Sequence, residues 1–202
     1  SAHTDMTAYR YDYEVITQWI EPGEKVLDLG CGGGDLLRHL MQVRQVQGYG
    51  VENDPDKLLA SVKNGVNVIQ MDLEKGLVGL EDGFFDHVIM SLSLQAMHNT
   101  QGILHEMLRV GREAVVSFPN FGYWRHRQSI LNGRMPVSES LPHQWFNTPN
   151  VRFFTVADFT TLCGLLDIEV REWRGFDDQG RPVQEDLNFL AALAIARIGR
   201  RA

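Results

Sequence analysis

Val26-Leu27-Asp28-Leu29-Gly30-Cys31-Gly32-Gly33-Gly34-Asp35 joins a short apolar run to a glycine-dense turn, and Leu36-Leu37-Arg38-His39-Leu40-Met41 then restores apolar residues at helical spacing. A strand that passes into a helix through glycines at 30, 32 and 34 is a narrow structural specification. Glycine adopts dihedrals that other residues avoid, and without a Cβ it lets a ligand reach the main chain. The spacing discriminates between ligands. A dinucleotide fingerprint G-x-G-x-x-G begun at Gly30 requires glycine at 35, and begun at Gly32 it requires glycine at 37; the chain has Asp35 and Leu37. A carboxylate in the first turn of the helix is also a poor neighbour for a pyrophosphate, because helix N-termini attract anions. A cationic, zwitterionic ligand suits the turn better.

Asp28 to Gly34 reads D-x-G-x-G-x-G, which resembles motif I of the class I methyltransferases. The resemblance implies S-adenosylmethionine, or its product S-adenosylhomocysteine, with Asp28 orienting the loop and the methionine end of the cofactor over Gly30, Cys31, Gly32 and Gly34. The elements that follow fit such a fold. Val46–Val51 is a second strand ending at Glu52, and Asp54-Pro55 opens a helix that stops at Asn64-Gly65. Val66–Met71, Phe84–Met90 and Ala114–Phe118 are further strands, and a helix between Asn99 and Gly111 separates the last two. Apolar strands alternating with helices specify a doubly wound α/β fold with a mostly parallel sheet. Thr155-Val156-Ala157-Asp158 is a capping box for a helix through Leu166. Ile168–Trp173 and Leu187–Ile195 then read as two strands without a long helix between them, which permits an antiparallel ending. The expectation is a seven-stranded Rossmann-like sheet whose last strand is antiparallel.

Ligands of such sheets lie beyond the carboxyl ends of the strands. Glu52, at the usual offset of about 20 residues from the glycine turn, is placed to accept hydrogen bonds from ribose hydroxyls, with Asn53 beside it. The class I resemblance implies that Asp72 accepts from the adenine amino group, with Met71 and Leu73 flanking the ring. Ser91, just past the fourth strand, is a candidate for the methionine part. For proton transfer the weak candidates are His98, Tyr123 and His143, none with a partner identifiable by spacing. Tyr9, Tyr11 and Tyr13 offer an aromatic cover for the cofactor, although packing of a short helix on the core is the better expectation. No metal site is expected.

The formal charge of −7 and the absence of long basic runs argue against nucleic acid. Arg125-His126-Arg127 reads as a solvated face, and Arg197 to Arg201 as a frayed basic tail. Two cysteines, one of them inside the glycine turn, fit a reducing compartment. No run approaches a membrane span, and the polar start Ser1–Asp5 carries no apolar signal segment, so a cytoplasmic location is expected. The 202 residues suit a single domain spanning 1–202, with an insertion at about 119–154.

That insertion is aromatic and proline-rich, as a lid or a docking surface would be. Its segments S-F-P-N-F-G-x-W-R from Ser117, G-R-M-P-V-S from Gly133 and L-P-x-Q-W-x-x-T-P-N from Leu141 resemble the bacterial methionine biosynthesis protein MetW family. The likeness runs from about Tyr13 to Trp173 and includes G-V-N-V-I-Q and S-L-x-L-Q-A-M. It implies association with homoserine O-acyltransferase, which depends on the complex for activity in some bacteria, and leaves any small-molecule methyl acceptor unnamed. Gly33 departs from the common C-G-D-G pattern, so no loop acid at 33 applies here. Ser91-Leu92-Ser93-Leu94 stands where an N-P-P-Y-like acceptor tetrapeptide would lie, which disfavours methylation of an exocyclic amine on a base or glutamine. Two readings remain open: a cofactor-binding subunit that activates its acyltransferase partner, and a small-molecule methyltransferase.

Overall fold

The computed structural model describes residues 10–202, and among these eight strands form one sheet. In chain order the elements are α1 (Tyr11–Trp19), β1 (Lys25–Leu29), α2 (Asp35–Arg44), β2 (Gln47–Glu52), α3 (Pro55–Lys63), β3 (Asn67–Gln70), β4 (Phe85–Ser91), α4 (Thr100–Val110), β5 (Gly111–Pro119), α5 (Trp124–Leu131), α6 (Val156–Leu165), β6 (Ile168–Phe176), β7 (Pro182–Val183), α7 (Leu187–Leu190) and β8 (Leu193–Arg200). Single 3-10 turns occupy Leu73–Lys75 and Leu94–Ala96. Three helices, α3, α4 and α6, start where a side chain satisfies free N–H groups. The Asp54 carboxylate accepts from the N–H of Asp56 and of Lys57 at 2.9 and 3.3 Å, with Pro55 at the first helical position of α3. Asn99 accepts from Gly102 N–H at 3.0 Å. Thr155 and Asp158 exchange reciprocal hydrogen bonds of 3.1 Å each, forming the capping box of α6.

The strands are ordered β3-β2-β1-β4-β5-β8-β6-β7. β1 to β5 run parallel, and β8 enters between β5 and β6 antiparallel to both. Side chains alternate across the sheet with the period of two expected of strands. Leu27, Leu29, Val88, Met90, Val116 and Phe118 join a core with residues of α4 and α6, including Ile103, Leu104 and Phe159. Val26, Ile89 and Val115 face the other way, onto Val15, Ile16 and Ile20 from α1 and Leu36, Leu37 and Leu40 from α2. The same alternation puts Asp28 on the α1 and α2 side. Among the described residues no helix is long and apolar enough to cross a membrane.

Three expectations for the C-terminal part need correction. The sheet has eight strands rather than seven, because the two-residue β7 adds to the end of β6 through Gly175–Val183 and Phe176–Pro182. The first half of the expected strand Leu187–Ile195 is the short helix α7, entered through Asp186 at φ +43°. Four helical residues are too few for a 3.6-residue period to register. Arg197 to Arg201 is no frayed tail: Arg197 and Arg200 lie in β8, Arg197 pairs with Glu172 at 3.0 Å, and Arg200 Nε donates to the Leu108 carbonyl at 2.9 Å.

The insertion is tied down by Asn120, which is fully buried just past β5. Its Nδ2 donates to the carbonyls of Leu187, Asn188 and Ala191 at 3.1, 3.1 and 2.8 Å. Its Oδ1 accepts from Gly122 and Val156 N–H at 3.0 and 3.1 Å. One side chain thus joins β5, the entry to α5, α6 and α7. Buried polar groups left without partners are costly, so Asn120→Ala should lower unfolding free energy by about 3 kcal/mol, against about 1 kcal/mol for removing the exposed cap in Thr155→Ala. Urea unfolding of the two variants measures the difference.

Candidate functional site

The turn after β1 bends across onto the end of β2. Gly30 N–H and Cys31 N–H both donate to the Val51 carbonyl, at 2.8 and 3.0 Å. From the other side α3 grips the turn: Ser61 Oγ donates to the Gly32 carbonyl and Asn64 Nδ2 to the Gly33 carbonyl, each at 2.7 Å. Two glycines are fixed by crowding. A Cβ at Gly34, where φ is +84°, would lie 2.9 Å from Val66 Cγ2, and one at Gly30 would lie 3.1 Å from Ser93 Oγ. Gly32 is different, because a Cβ there would meet no described atom within 4 Å. The space in front of its Cα is open.

Glu52, at the end of β2, binds the turn directly. Gly32 N–H donates to its Oε2 at 2.8 Å, and the N–H groups of Asn53 and Asp54 donate to Oε1 at 3.0 Å each. A carboxylate oxygen accepts more than one hydrogen bond, so this grip leaves acceptor capacity. Cys31 contributes its backbone; its thiol packs over Gly50, where a Cβ would come 2.5 Å from the sulfur. Burial pushes that thiol up to about 11, against its hydrogen bond with Ser61. Beyond β3, the Asp72 carboxylate accepts from Glu74 N–H at 3.1 Å, and Met71 and Leu73 pack half-buried against the core.

Asp28 is 3% exposed beneath the turn. Burial pushes its carboxyl up to about 7; Arg10 opposes the shift, and Asp12 and Glu52 add to it. Asp12, from the first turn of α1, is itself fully buried at the ends of β4 and β5. Its Oδ2 accepts from the hydroxyls of Ser91 and of Ser117, the latter at 2.8 Å, and its Oδ1 lies 3.3 Å from Arg10 Nε. Arg10 also donates to Ser91 Oγ and lies 4.1 Å above the Tyr13 ring. Burial drives the Tyr13 hydroxyl well above the usual phenol range. Arg10 and Asp12 carry no signal in the sequence: they read as the polar face of a surface helix, and their partners lie about 80 residues away.

The structure thus gathers Asp28, Gly30, Cys31, Gly32, Gly34, Glu52 and Asn53 at adjacent strand ends, with Met71, Asp72 and Leu73 past β3 and Ser91 as the last residue of β4 rather than just beyond it. Ser91 binds Asp12 and Arg10. Tyr11 stacks on Phe176 at 5.6 Å, so it packs on the fold; Tyr9 lies outside the described residues. The three candidates for proton transfer are not assembled. The Tyr123 hydroxyl is pushed up by burial and by its hydrogen bond to Asp178. His143 is exposed in the insertion. His98 Nδ1 is 3.6 Å from Glu74, too long for a hydrogen bond, and the Glu74 carboxylate is instead bonded to the N–H groups of His98 and Asn99.

The insertion is anchored near both of its ends. The buried His126 joins the Asn120 carbonyl through Nδ1 at 3.0 Å and Ser138 Oγ through Nε2 at 2.8 Å. The N–H groups of Val151 and Arg152 both donate to the Gln95 carbonyl at 2.9 Å. Between these anchors Trp145 and Phe146, 73% and 69% exposed, pack edge to face against each other at 5.7 Å.

Sheet order, the glycine turn and the acid ending β2 together define a Rossmann-like class I methyltransferase fold. Solved structures bear this out. Over 94% of this chain and 82% of the other, the TM-score is 0.67 and the identity 16% to magnesium protoporphyrin IX methyltransferase from Synechocystis PCC 6803 with bound SAH. The cyclase SpnF gives a TM-score of 0.69 at 15% identity, over 94% of this chain and 80% of its own. At such identities the likeness is one of fold. The chain belongs to the methionine biosynthesis protein MetW family, whose profile matches residues 10–198. It is 41% identical over 186 residues to the bifunctional methionine biosynthesis protein MetXA/MetW of Rhodopirellula baltica; the aligned part is 87% of this chain and 30% of that protein.

The position of Asp28 predicts a pH signature. Because its folded-state value of about 7 lies above the ordinary 3.8, the folded chain holds a proton that the unfolded chain has already released. Stability from the neutral form is present below the ordinary value and is lost as pH rises through about 7. Asp28→Asn should therefore be more stable than the parent at pH 8, by up to about 4 kcal/mol at about 1.4 kcal/mol per pKa unit, with the gap closing towards pH 5. Urea midpoints across that range test it; a gap independent of pH would contradict the burial argument.

Proposed function

We propose that this chain is the S-adenosylmethionine-binding subunit of a methionine-biosynthetic pair, acting with homoserine O-acyltransferase and activating it. The observation that carries the reading is the Rhodopirellula baltica relative, in which a MetW part and a MetXA part share one polypeptide. Fusion of two activities supports a functional partnership between their separate counterparts. The anchored insertion, with Trp145 and Phe146 exposed, supports a partner-facing role, since aromatic residues are enriched at protein interfaces.

The crevice residues fit S-adenosylmethionine or S-adenosylhomocysteine on the structure's own terms. The open space at Gly32 accommodates a ligand above the turn, and the spare acceptor capacity of Glu52 suits ribose hydroxyls. In this reading Asp72 accepts from the adenine amino group and Met71 and Leu73 flank the ring. Asp28 orients the loop beneath the methionine end, while Ser91 acts through Asp12 and Arg10. When bound, the sulfonium supplies an activated methyl group, for which positioning is the main requirement.

A second reading, methyl transfer to a small acceptor, draws support from His98, whose side chain is 72% exposed beyond the 3-10 turn that follows β4. Radiolabelled methyl appearing in a metabolite or in the partner would favour it. The primary reading predicts that the chain binds S-adenosylmethionine and S-adenosylhomocysteine in calorimetric titrations and raises acyltransferase activity when mixed with the partner. Glu52→Ala should weaken both ligands by about 30-fold, the loss expected for hydrogen bonds to a charged group. Activation by that variant at low cofactor concentration should fall in step. Full activation without cofactor binding would detach the crevice from the partner's activity.

A further inference from the structure

Arg10, the residue that precedes α1, brings a positive charge close to the acids Asp12 and Asp28. Arg10 Nε lies 3.3 Å from Asp12, and Nη2 donates to Ser91 Oγ, so the guanidinium edge that carries these two nitrogens is fixed. A guanidinium carries five N–H donors in a rigid plane. Asp12 does not depend on Arg10 for hydrogen bonding, because Ser91 and Ser117 already donate to it. The Arg10 side chain remains 26% exposed.

Its neighbours locate it against the glycine turn. Ser91, to which it donates, has its carbonyl bonded to Ser93 Oγ at 3.1 Å. That same Ser93 Oγ is the atom lying 3.1 Å from where a Gly30 Cβ would stand. The continuous line Arg10, Ser91, Ser93, Gly30 therefore borders the crevice where β1 and β4 end. Asp12, Glu52 and Arg10 all lie close enough to Asp28 to shift its carboxyl, the two acids upward and Arg10 downward. Separated charges of both signs match an α-amino acid head, with an ammonium towards the carboxylates and a carboxylate towards the guanidinium.

We propose that Arg10 binds the α-carboxylate of the cofactor's methionine moiety, through the guanidinium edge not used by Asp12 and Ser91. This rests on the cofactor reading given above and adds a residue from outside the glycine turn. It makes α1 part of the ligand site as well as part of the fold. It also assigns Asp12, Ser91 and Ser117 a positioning role, since they hold the guanidinium plane in one orientation.

The test compares ligands that share the adenosine and the sulfur but differ in the amino-acid head. Calorimetric titration of the full chain with S-adenosylhomocysteine and with 5′-methylthioadenosine, which lacks that head, is run on the parent, Arg10→Ala and Arg10→Lys. The expected result is a loss of about 30-fold in S-adenosylhomocysteine affinity for Arg10→Ala, partial recovery for Arg10→Lys, and methylthioadenosine affinity unchanged within about twofold. Equal losses for both ligands, or none for S-adenosylhomocysteine, would overturn the proposal and leave Arg10 a structural partner of Asp12. Should Arg10→Ala fail to fold, decarboxylated S-adenosylhomocysteine on the parent chain decides the matter: binding as tight as the intact ligand's overturns the proposal, and a loss of about 30-fold supports it. A parent chain that binds none of these nucleosides would remove the cofactor reading itself.

Discussion

Two N–H groups share one carbonyl where β1 ends: Gly30 and Cys31 both donate to Val51. This fixes the direction in which the chain leaves the sheet. The turn must lie across the end of β2, so Glu52 meets Gly32 N–H and the underside of the turn covers Asp28. α3 then closes over the far side through Ser61 and Asn64. Every other feature of the crevice is set relative to that arrangement. The close approach of Ser93 to Gly30 carries it over to β4, and through Ser91 to α1.

The crevice is held together by groups that do not favour the fold on their own. Asp28 and Asp12 are buried acids on the same side of the sheet, and Arg10 is the cation set against them. Burying carboxylates is unfavourable unless charge and hydrogen bonds compensate, and for Asp28 burial outweighs what Arg10 returns. Local departures from what stability alone favours concentrate at functional sites. The opposite end of the same strands shows the contrast. There His87 sits between Glu24 and Glu113 at 2.8 and 3.0 Å, and Glu113 is further paired with Arg171 and Arg197. At that end the buried histidine and its acids are paired with one another and with arginines.

Features that depend on neighbours in sequence were legible from the residues alone. The caps at Asp54, Asn99 and Thr155, the glycine turn and the strand-helix alternation all follow from contacts spanning a few positions. The crevice was legible as far as each strand carried its own signal, which covers Asp28, Glu52 and Asp72. Ser91 was recognisable as a strand-end polar residue, whereas its partners Arg10 and Asp12 were not, because nothing local distinguishes a buried Asp-Arg pair from a solvated helix start. The basic C-terminus misled for a related reason. Arg197 and Arg200 point to acceptors on strands and helices far along the chain, and as a string of residues they resemble a tail. Tyr123 belongs with these: its hydroxyl is occupied by Asp178, over 50 residues on.

The sheet ends on its two shortest strands, the four-residue β3 on one side and the two-residue β7 on the other. An open strand edge is a template on which another chain can add a strand, and short edges with proline blunt it. Pro182 has no N–H to offer, which leaves the β7 edge almost nothing to pair with. β7 covers only Gly175 and Phe176, however, so among the described residues Ile168–Arg174 of β6 and the outer side of β3 keep backbone groups that no strand pairs. Proline thus blunts one short part of the sheet edge, while the rest of that edge keeps the backbone pattern that an added strand would read.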